Sequence, residues 1–321
     1  MNVSPCLIST LQSSLKLRAG EYCVVDLNPW GSLHADTIEA ANICIMGIPF
    51  DGAVSCGKGS SRAPEHIRSL SRYLPATTET GIILDRVSVF DAGDVPVDLD
   101  WERYYGNIEA EAYTLFKSGK FCLFIGGDHS VTIPLHKAFG KAMRESGKQK
   151  IGIIHFDAHA DICDTYDNHK WSHACTERRA LDDVISPADL SYVGLRSWEL
   201  EELEFFASHP EIITIKAYDV YKEGPLQAFQ TLYERYADYD AIYFTLDIDV
   251  LDPAYAPGTG TPEAGGLSSR ELLELTKLIV GTLPVVAMDV VEVSPILDVS
   301  DMTSWAALKV IYEAFGCINA R

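Results

Sequence analysis

The chain has 321 residues, 47% hydrophobic and 22% charged, an ordinary globular composition with length enough for one large α/β core. With 46 acids against 26 bases the net charge is −20, and no block of Lys and Arg stands out. That balance argues against a nucleic-acid groove or an anionic membrane surface as partner and suits a small cationic ligand.

Taken in chain order, short apolar runs alternate with amphipathic segments. The first twenty residues show no charged segment followed by an apolar one, so no signal peptide is expected. A strand is predicted over 41–50, then helices over 63–72 and 106–118, a strand over 121–127 and a helix over 131–146. Strands follow over 150–156 and 190–196, a helix over 199–208, a strand over 211–217 and a helix over 225–237. The last strands cover 241–250 and 283–293, separated by a helix over 268–280. For that helix Ser268 can cap, Glu271 completes a capping box and Gly281 can act as a stop. A terminal helix is expected over 302–317. The strand runs are unbroken by polar residues, the pattern of a parallel sheet covered on both faces, and the alternation predicts a doubly wound α/β sheet in one domain. No run reaches the roughly 20 apolar residues of a membrane helix. The eight cysteines are scattered without a CxxC, which predicts reduced thiols in a cytoplasmic protein.

Polar residues gather at the C-terminal ends of these runs. "FCLFIGG" leads into Asp128-His129-Ser130, "KIGIIHF" into Asp157, His159 and Asp161, "AIYFTL" into Asp247, Asp249 and Asp252, and "LPVVAM" into Asp289 and Glu292. In open α/β sheets ligands bind at that rim. If the chain stays extended, period two places Asp157, His159 and Asp161 on one face, and Asp247 with Asp249. With His129 this makes four Asp and two His. Four crowded carboxylates repel and raise one another's pKa unless cations intervene. Two divalent cations, with two Asp bridging, would give each metal four protein ligands. An oxygen-rich set with imidazole and no thiolate suits Mn(II), and Ni, Co or Zn also fit. A lone Asp-x-His is usually a surface loop, and a lone Asp-x-Asp can be a fragment of a calcium loop. The joint pattern is what carries the metal reading.

The segments "GGDHS" (126–130), "DAHAD" (157–161) and "LDIDVLDP" (246–253) resemble the three signature segments of the ureohydrolase family, which comprises arginases, agmatinases and guanidino-acid hydrolases. "GIPFDG" (47–52), "APGTGTPEAGGLSSREL" (256–272) and "MDVVEVSP" (288–295) extend the resemblance from about residue 41 to the C-terminus. It implies a three-layer α/β/α sandwich with a central, mainly parallel sheet of about eight strands, spanning 1–321 with 1–40 as an N-terminal extension packed on it, and assembly as homotrimers or homohexamers. It further implies one Mn held by His129, Asp157, Asp161 and Asp247, and another by Asp157, His159, Asp247 and Asp249, with Asp157 and Asp247 bridging. In that scheme a shared water, its pKa lowered, attacks a guanidinium carbon. Asp161 holds and passes its proton, Glu292 pairs with the guanidinium through two parallel N–H···O bonds, and His173 is the mobile proton shuttle. His173-Ala174-Cys175-Thr176 departs from the His-Gly-Thr usual in agmatinases and their relatives, which leaves His169 as the other shuttle candidate. Thr245-Leu246 stands where Ser-Phe is usual, a change expected to matter little to ligation.

The implied reaction releases urea and an amine. Arginases carry Asn two residues after the second motif, and Cys163 stands there, which weakens arginine as substrate. Agmatine, cleaved to urea and putrescine, suits the acidic field and would tie the chain to polyamine biosynthesis. The loop 162–172 carries Asp164, Tyr166, Asp167 and Trp171, where an acid can meet a distal ammonium. Lys58, Arg178 and Arg179 would instead favour a carboxylate tail, as in 4-guanidinobutanoate or 3-guanidinopropanoate, and free guanidine is a further alternative. A single-metal amide deacetylase needs fewer acids, and a non-catalytic relative would be expected to have lost ligands. Gly52–Lys58 nearly spells a phosphate-binding loop, but Gly59 replaces the required Ser or Thr, so 51–62 is read as a Gly-rich loop at the site's rim.

Overall fold

The computed structural model describes residues 28–321. Eight parallel strands form one sheet: β1 (Ile43–Gly47), β2 (Val89–Asp94), β3 (Phe121–Ile125), β4 (Ile151–Phe156), β5 (Leu190–Leu195), β6 (Ile213–Lys216), β7 (Ala241–Asp247) and β8 (Val285–Val291). Their order is β2-β1-β3-β8-β7-β4-β5-β6. The four strands that lead into the candidate site residues, β3, β8, β7 and β4, are therefore the four central ones, and their C-terminal ends lie side by side.

Alternate strand residues feed two cores, which is why the runs look uniformly apolar. Ile43, Leu123, Ile154, Phe244 and Met288 pack on one face with helices α1 (Ala63–Ser71), α7 (Pro225–Tyr236), α8 (Ser269–Thr282) and α9 (Met302–Asn319). Cys44, Phe124, Ile153, Tyr243 and Ala287 pack on the other with α2 (Trp101–Lys117), α3 (Thr132–Glu145) and α4 (Thr176–Asp183). Helices α5 (Leu200–Ser208) and α6 (Ala217–Glu223) flank the β5–β6 edge. This is the three-layer α/β/α arrangement.

The seven apolar runs all form strands. The eighth, β2, has no apolar run because it is an edge strand with alternating exposure. Its Asp91 makes a two-pronged pair with the mostly buried Arg68, at 2.7 and 2.8 Å, and Asp94 closes on the same guanidinium. Helix α2 starts earlier than predicted, at Trp101, because the Asp100 carboxylate caps it through the Arg103 N–H. The capping box of Ser268 and Glu271 is present, but Gly281 does not stop α8. The helix continues to Thr282, and Leu283-Pro284 ends it, the ring of Pro284 being incompatible with another turn. Helices α4 and α6, of 8 and 7 residues, are too short to show a period.

Of the N-terminal extension, residues 28–40 are described; Trp30 packs edge-on against Phe315 and donates its indole N–H to Asp91 at 2.7 Å. The segment read for a signal peptide lies outside the described residues. Among the described residues no helix is long and apolar enough to cross a membrane, and the six cysteines are free thiols.

Candidate metal centre

Each strand end turns sharply where its polar residue must face the rim. After β3, Gly127 passes so close to Phe50 that a Cβ would lie 1.7 Å from the Phe50 carbonyl oxygen, so only glycine fits. Asp128 then anchors the turn, accepting from Ala53 N–H at 2.8 Å and Ser130 N–H at 3.1 Å. Burial beside Glu292 raises the Asp128 pKa to about 7. The next residue, His129, lies fully buried in the 3₁₀ turn that precedes α3.

The expected mechanism of convergence was period two along extended chain, and the structure shows another. Strand β4 stops at Phe156, and Asp161 adopts a left-handed backbone with φ 51°. Likewise β7 ends at Asp247, whose carboxylate caps a 3₁₀ turn by accepting from Asp249 N–H at 2.8 Å. Loop geometry brings these groups together.

Two groups of donor atoms result. In the first, His129 Nδ1 faces Asp157 Oδ2 at 3.1 Å, Asp161 Oδ2 at 3.1 Å and Asp247 Oδ2 at 3.3 Å. In the second, His159 Nδ1 faces Asp157 Oδ1 at 3.3 Å and Asp249 Oδ2 at 3.1 Å. Ligands about 2.1 Å from one cation at right angles sit about 3 Å from each other, so both spacings match a shared ion. Asp157 turns one oxygen to each group. Asp247 joins the first through Oδ2, while its Oδ1 is engaged by the Asp249 N–H.

The chemistry of the donors points the same way. Thr245 Oγ1 donates to Asp289 at 2.7 Å, so it must accept from His129 Nε2 at 2.9 Å. A neutral His129 therefore presents a bare Nδ1 lone pair to three carboxylates, and only a proton or a metal resolves that. Burial opposes charge on His129, but the surrounding carboxylates raise its pKa well above the ordinary value. His159 is also raised, against burial, by the charge of Asp249 and by Asp157. Burial and neighbouring carboxylates raise Asp247 and Asp249. The hydroxyl of Thr245 thus orients a candidate ligand, and the Ser usual at that position would carry the same group.

Glu292 follows β8, also left-handed at φ 60°. Its Oε1 accepts from His129 N–H at 2.9 Å and lies 3.1 Å from His173 Nδ1. His173 Nε2 accepts from Ser55 N–H at 3.1 Å, which places the neutral ring's proton on Nδ1. Burial lowers the His173 pKa, and the Glu292 hydrogen bond and charge overrule it to about 9. His169 sits elsewhere, edge-on against Trp101 with centroids 4.9 Å apart. Of the two histidines, His173 is the one at Glu292.

A cavity of about 170 Å³ opens onto His159, Asp161, His173 and Asp247. It is smaller than the roughly 300–1,000 Å³ of sites for drug-sized ligands. Tyr166 lines it, and so does Ser55 from the Gly-rich loop. The other loop candidates do not. Asp164 pairs with Arg179 at 2.7 Å, Trp171 packs on Tyr105, and Asp167 is exposed. The acids that line it away from the donor groups are Glu199 and Glu202 around the start of α5, beyond β5, and Glu202 accepts from the Glu199 and Ile162 N–H groups at 2.9 and 3.3 Å. Desolvation raises the Glu202 pKa to about 7. Among the described residues no Lys or Arg lines the cavity. Arg178 and Arg179 pair with Asp182 instead.

Sequence reasoning also passed over His155 and Glu177. His155 is fully buried, and its two nitrogens meet Asp157 Oδ2 at 2.9 Å and Glu177 Oε1 at 2.8 Å. A histidine inside an otherwise apolar strand was the available signal.

The Arginase family model matches residues 41–316. The chain is 36% identical to an agmatinase of Bacillus anthracis over 283 residues, 86% of this chain and 92% of the relative. Among solved structures, the agmatine ureohydrolase of Thermoplasma volcanium superposes with a TM-score of 0.78 at 29% identity, covering 96% of this chain and 97% of that one. The proclavaminate amidino hydrolase of Streptomyces clavuligerus gives 0.81 at 29% identity, covering 91% and 97%.

Proposed function

The chain belongs to the arginase family of metal-dependent ureohydrolases, and within it we propose that this enzyme hydrolyses agmatine to putrescine and urea. The family implies a binuclear divalent centre, and the two donor groups sharing Asp157 fit one. We assign His129, Asp157, Asp161 and Asp247 to one ion and Asp157, His159, Asp247 and Asp249 to the other. For Asp247 to bridge, its Oδ1 would accept a metal alongside the Asp249 N–H, which a carboxylate oxygen can do. The nitrogen and oxygen donors, with no thiolate among them, favour Mn(II). A divalent pair held there would supply Lewis acidity and lower the pKa of a shared water.

The chain's own groups do the rest. Asp161 takes the proton of the attacking water. Glu292 Oε1 is already committed to His129 and His173, so Oε2, without a hydrogen-bond partner among the described residues, receives the guanidinium N–H. His173 delivers a proton to the departing amine. The cytoplasm suits the free thiols. Assembly as a homotrimer or homohexamer is part of the same proposal, and light scattering would test it.

The observation that carries agmatine over its relatives is the cavity's charge: its distal ionisable residues are Glu199 and Glu202, which suit an ammonium tail and repel a carboxylate. The test is urea release by protein loaded with Mn or Ni, offered agmatine, arginine, 4-guanidinobutanoate, 3-guanidinopropanoate and guanidine. Agmatine is expected to dominate. Turnover of a carboxylate-tailed substrate in its place overturns the assignment.

A further inference from the structure

Asp157 can serve two ions only if its carboxylate plane is held so that each oxygen faces a different donor group. In the folded chain Oδ1 accepts from the His159 backbone N–H at 2.6 Å, which holds one end of that plane and leaves the Oδ2 end to be fixed. Behind Asp157 stands His155, whose Nε2 bonds Oδ2 at 2.9 Å, the same oxygen that faces His129 Nδ1 at 3.1 Å. Oδ1 is thereby left to His159. On its far side His155 Nδ1 meets Glu177 Oε1 at 2.8 Å. The ring also stacks on His129, centroids 4.7 Å apart and planes 21° from parallel.

Glu177 is tied to the same site a second way: its backbone N–H donates to the Asp161 carbonyl at 2.9 Å. The acid is fully buried, and its Oε2 and both nitrogens of the neighbouring buried His136 have no hydrogen-bond partner among the described residues. Burying a carboxylate with one oxygen unsatisfied is costly, and an apolar residue would pack there more cheaply. Its one side-chain hydrogen bond among the described residues is to His155, with His136 Nδ1 further off at 4.0 Å.

We propose that Glu177 and His155 are positioning residues for the binuclear centre: Glu177 fixes the His155 ring, and His155 holds the Asp157 carboxylate in its bridging orientation. The proposal rests on the metal reading above. It assigns His155 a role outside the ligand sphere although its nitrogen lies within reach of the first donor group, because both ring nitrogens are already engaged.

The test uses Mn²⁺ alone as probe, with calorimetric titration and low-temperature electron paramagnetic resonance on the full chain. Wild type should bind two Mn²⁺ per chain with the multiline signal of a coupled pair. In Glu177→Gln the affinity should fall about 10- to 100-fold, the usual cost of removing a partner that orients a ligand, and the coupled signal should weaken. His155→Gln, whose amide nitrogen can still donate to Asp157, should retain more affinity and coupling than His155→Ala. That rescue order is not expected of a residue that only packs, and it decides the matter if Glu177→Gln fails to fold. Two ions with unchanged affinity and coupling in Glu177→Gln and His155→Ala overturn this proposal and leave the function intact. Wild type that binds no coupled pair overturns both.

Discussion

At His173 the two ring nitrogens have opposite duties. In the neutral ring Nδ1 donates to Glu292 Oε1 and Nε2 accepts from the Ser55 N–H; in the cation Nε2–H turns to the Ser55 hydroxyl, 2.9 Å away, so in the proposed shuttle role the proton released is the one on Nε2. Glu292 keeps the ring cationic up to about pH 9. A proton donor is competent below its pKa, so kcat should hold through neutrality and fall as pH rises past about 9. His173→Asn should lower kcat about 10²- to 10⁴-fold, leave KM for agmatine near wild type and abolish that alkaline limb. A limb persisting at the same pH in the variant would assign it to another group. Glu202 titrates in the opposite sense for function. Its folded pKa of about 7 lies above the ordinary 4.5, so its stabilising contribution is full below 4.5 and is lost as pH rises through 7. Thermal melts should show that fall with pH in wild type and not in Glu202→Gln, whose single amide oxygen keeps one of the two bonds from the Glu199 and Ile162 N–H groups and so sets a lower, pH-independent level. Over the same range wild-type KM for agmatine should fall, because the ionised acid is the form that meets an ammonium. A KM flat in pH would remove Glu202 from tail recognition.

Elements reach their positions through contacts of very different cost. A Cβ on Gly127 would meet the Phe50 carbonyl at 1.7 Å, whereas one on Gly281, inside α8, meets nothing closer than the Cys317 sulfur at 3.6 Å. Gly127→Ala should therefore destabilise by about 1–3 kcal/mol or more through forced backbone movement, and Gly281→Ala should stabilise by up to about 1 kcal/mol through helix propensity. Denaturant melts of the two variants would check both signs. The same contrast explains what could be seen beforehand. The strands covered on both faces were legible because burial makes their sequence monotonous, and the acids at their ends stood out against that background. Strand β2 was not, because half of it faces solvent and its Asp91 and Asp94 answer an arginine more than twenty residues away. Glu199 and Glu202 were readable only as a helix start, since nothing local says that α5 opens over the cavity. His155 was visible as an oddity, but Glu177 lies 22 residues further on, and only the fold joins them. Conversely, the loop acid Asp164 looked suitable by type and position yet is taken by Arg179.

At the scale of the molecule, the sheet order places β3, β8, β7 and β4 side by side, so one stretch of rim receives the acids that follow these four strands. A protein with net charge −20 gathers four buried aspartates there, and in the metal-free chain two histidines partly balance them. Divalent ions bind this arrangement in the folded chain and not in the unfolded one, where the donors are scattered over 121 residues of sequence from His129 to Asp249. Binding therefore adds to stability by mass action, about 2.7 kcal/mol for each site at a hundredfold excess over its dissociation constant. For two sites in a chain of this size the melting temperature should rise by about 5–10 °C when Mn²⁺ replaces EDTA. Asp157→Asn removes the carboxylate that both donor groups share and should erase most of that rise, while Asp164→Asn, on the exposed loop, should preserve it. Scanning calorimetry on the three proteins, each with EDTA and with Mn²⁺, separates the cases. An equal rise in Asp157→Asn would mean that the stabilising ions sit away from the strand rim.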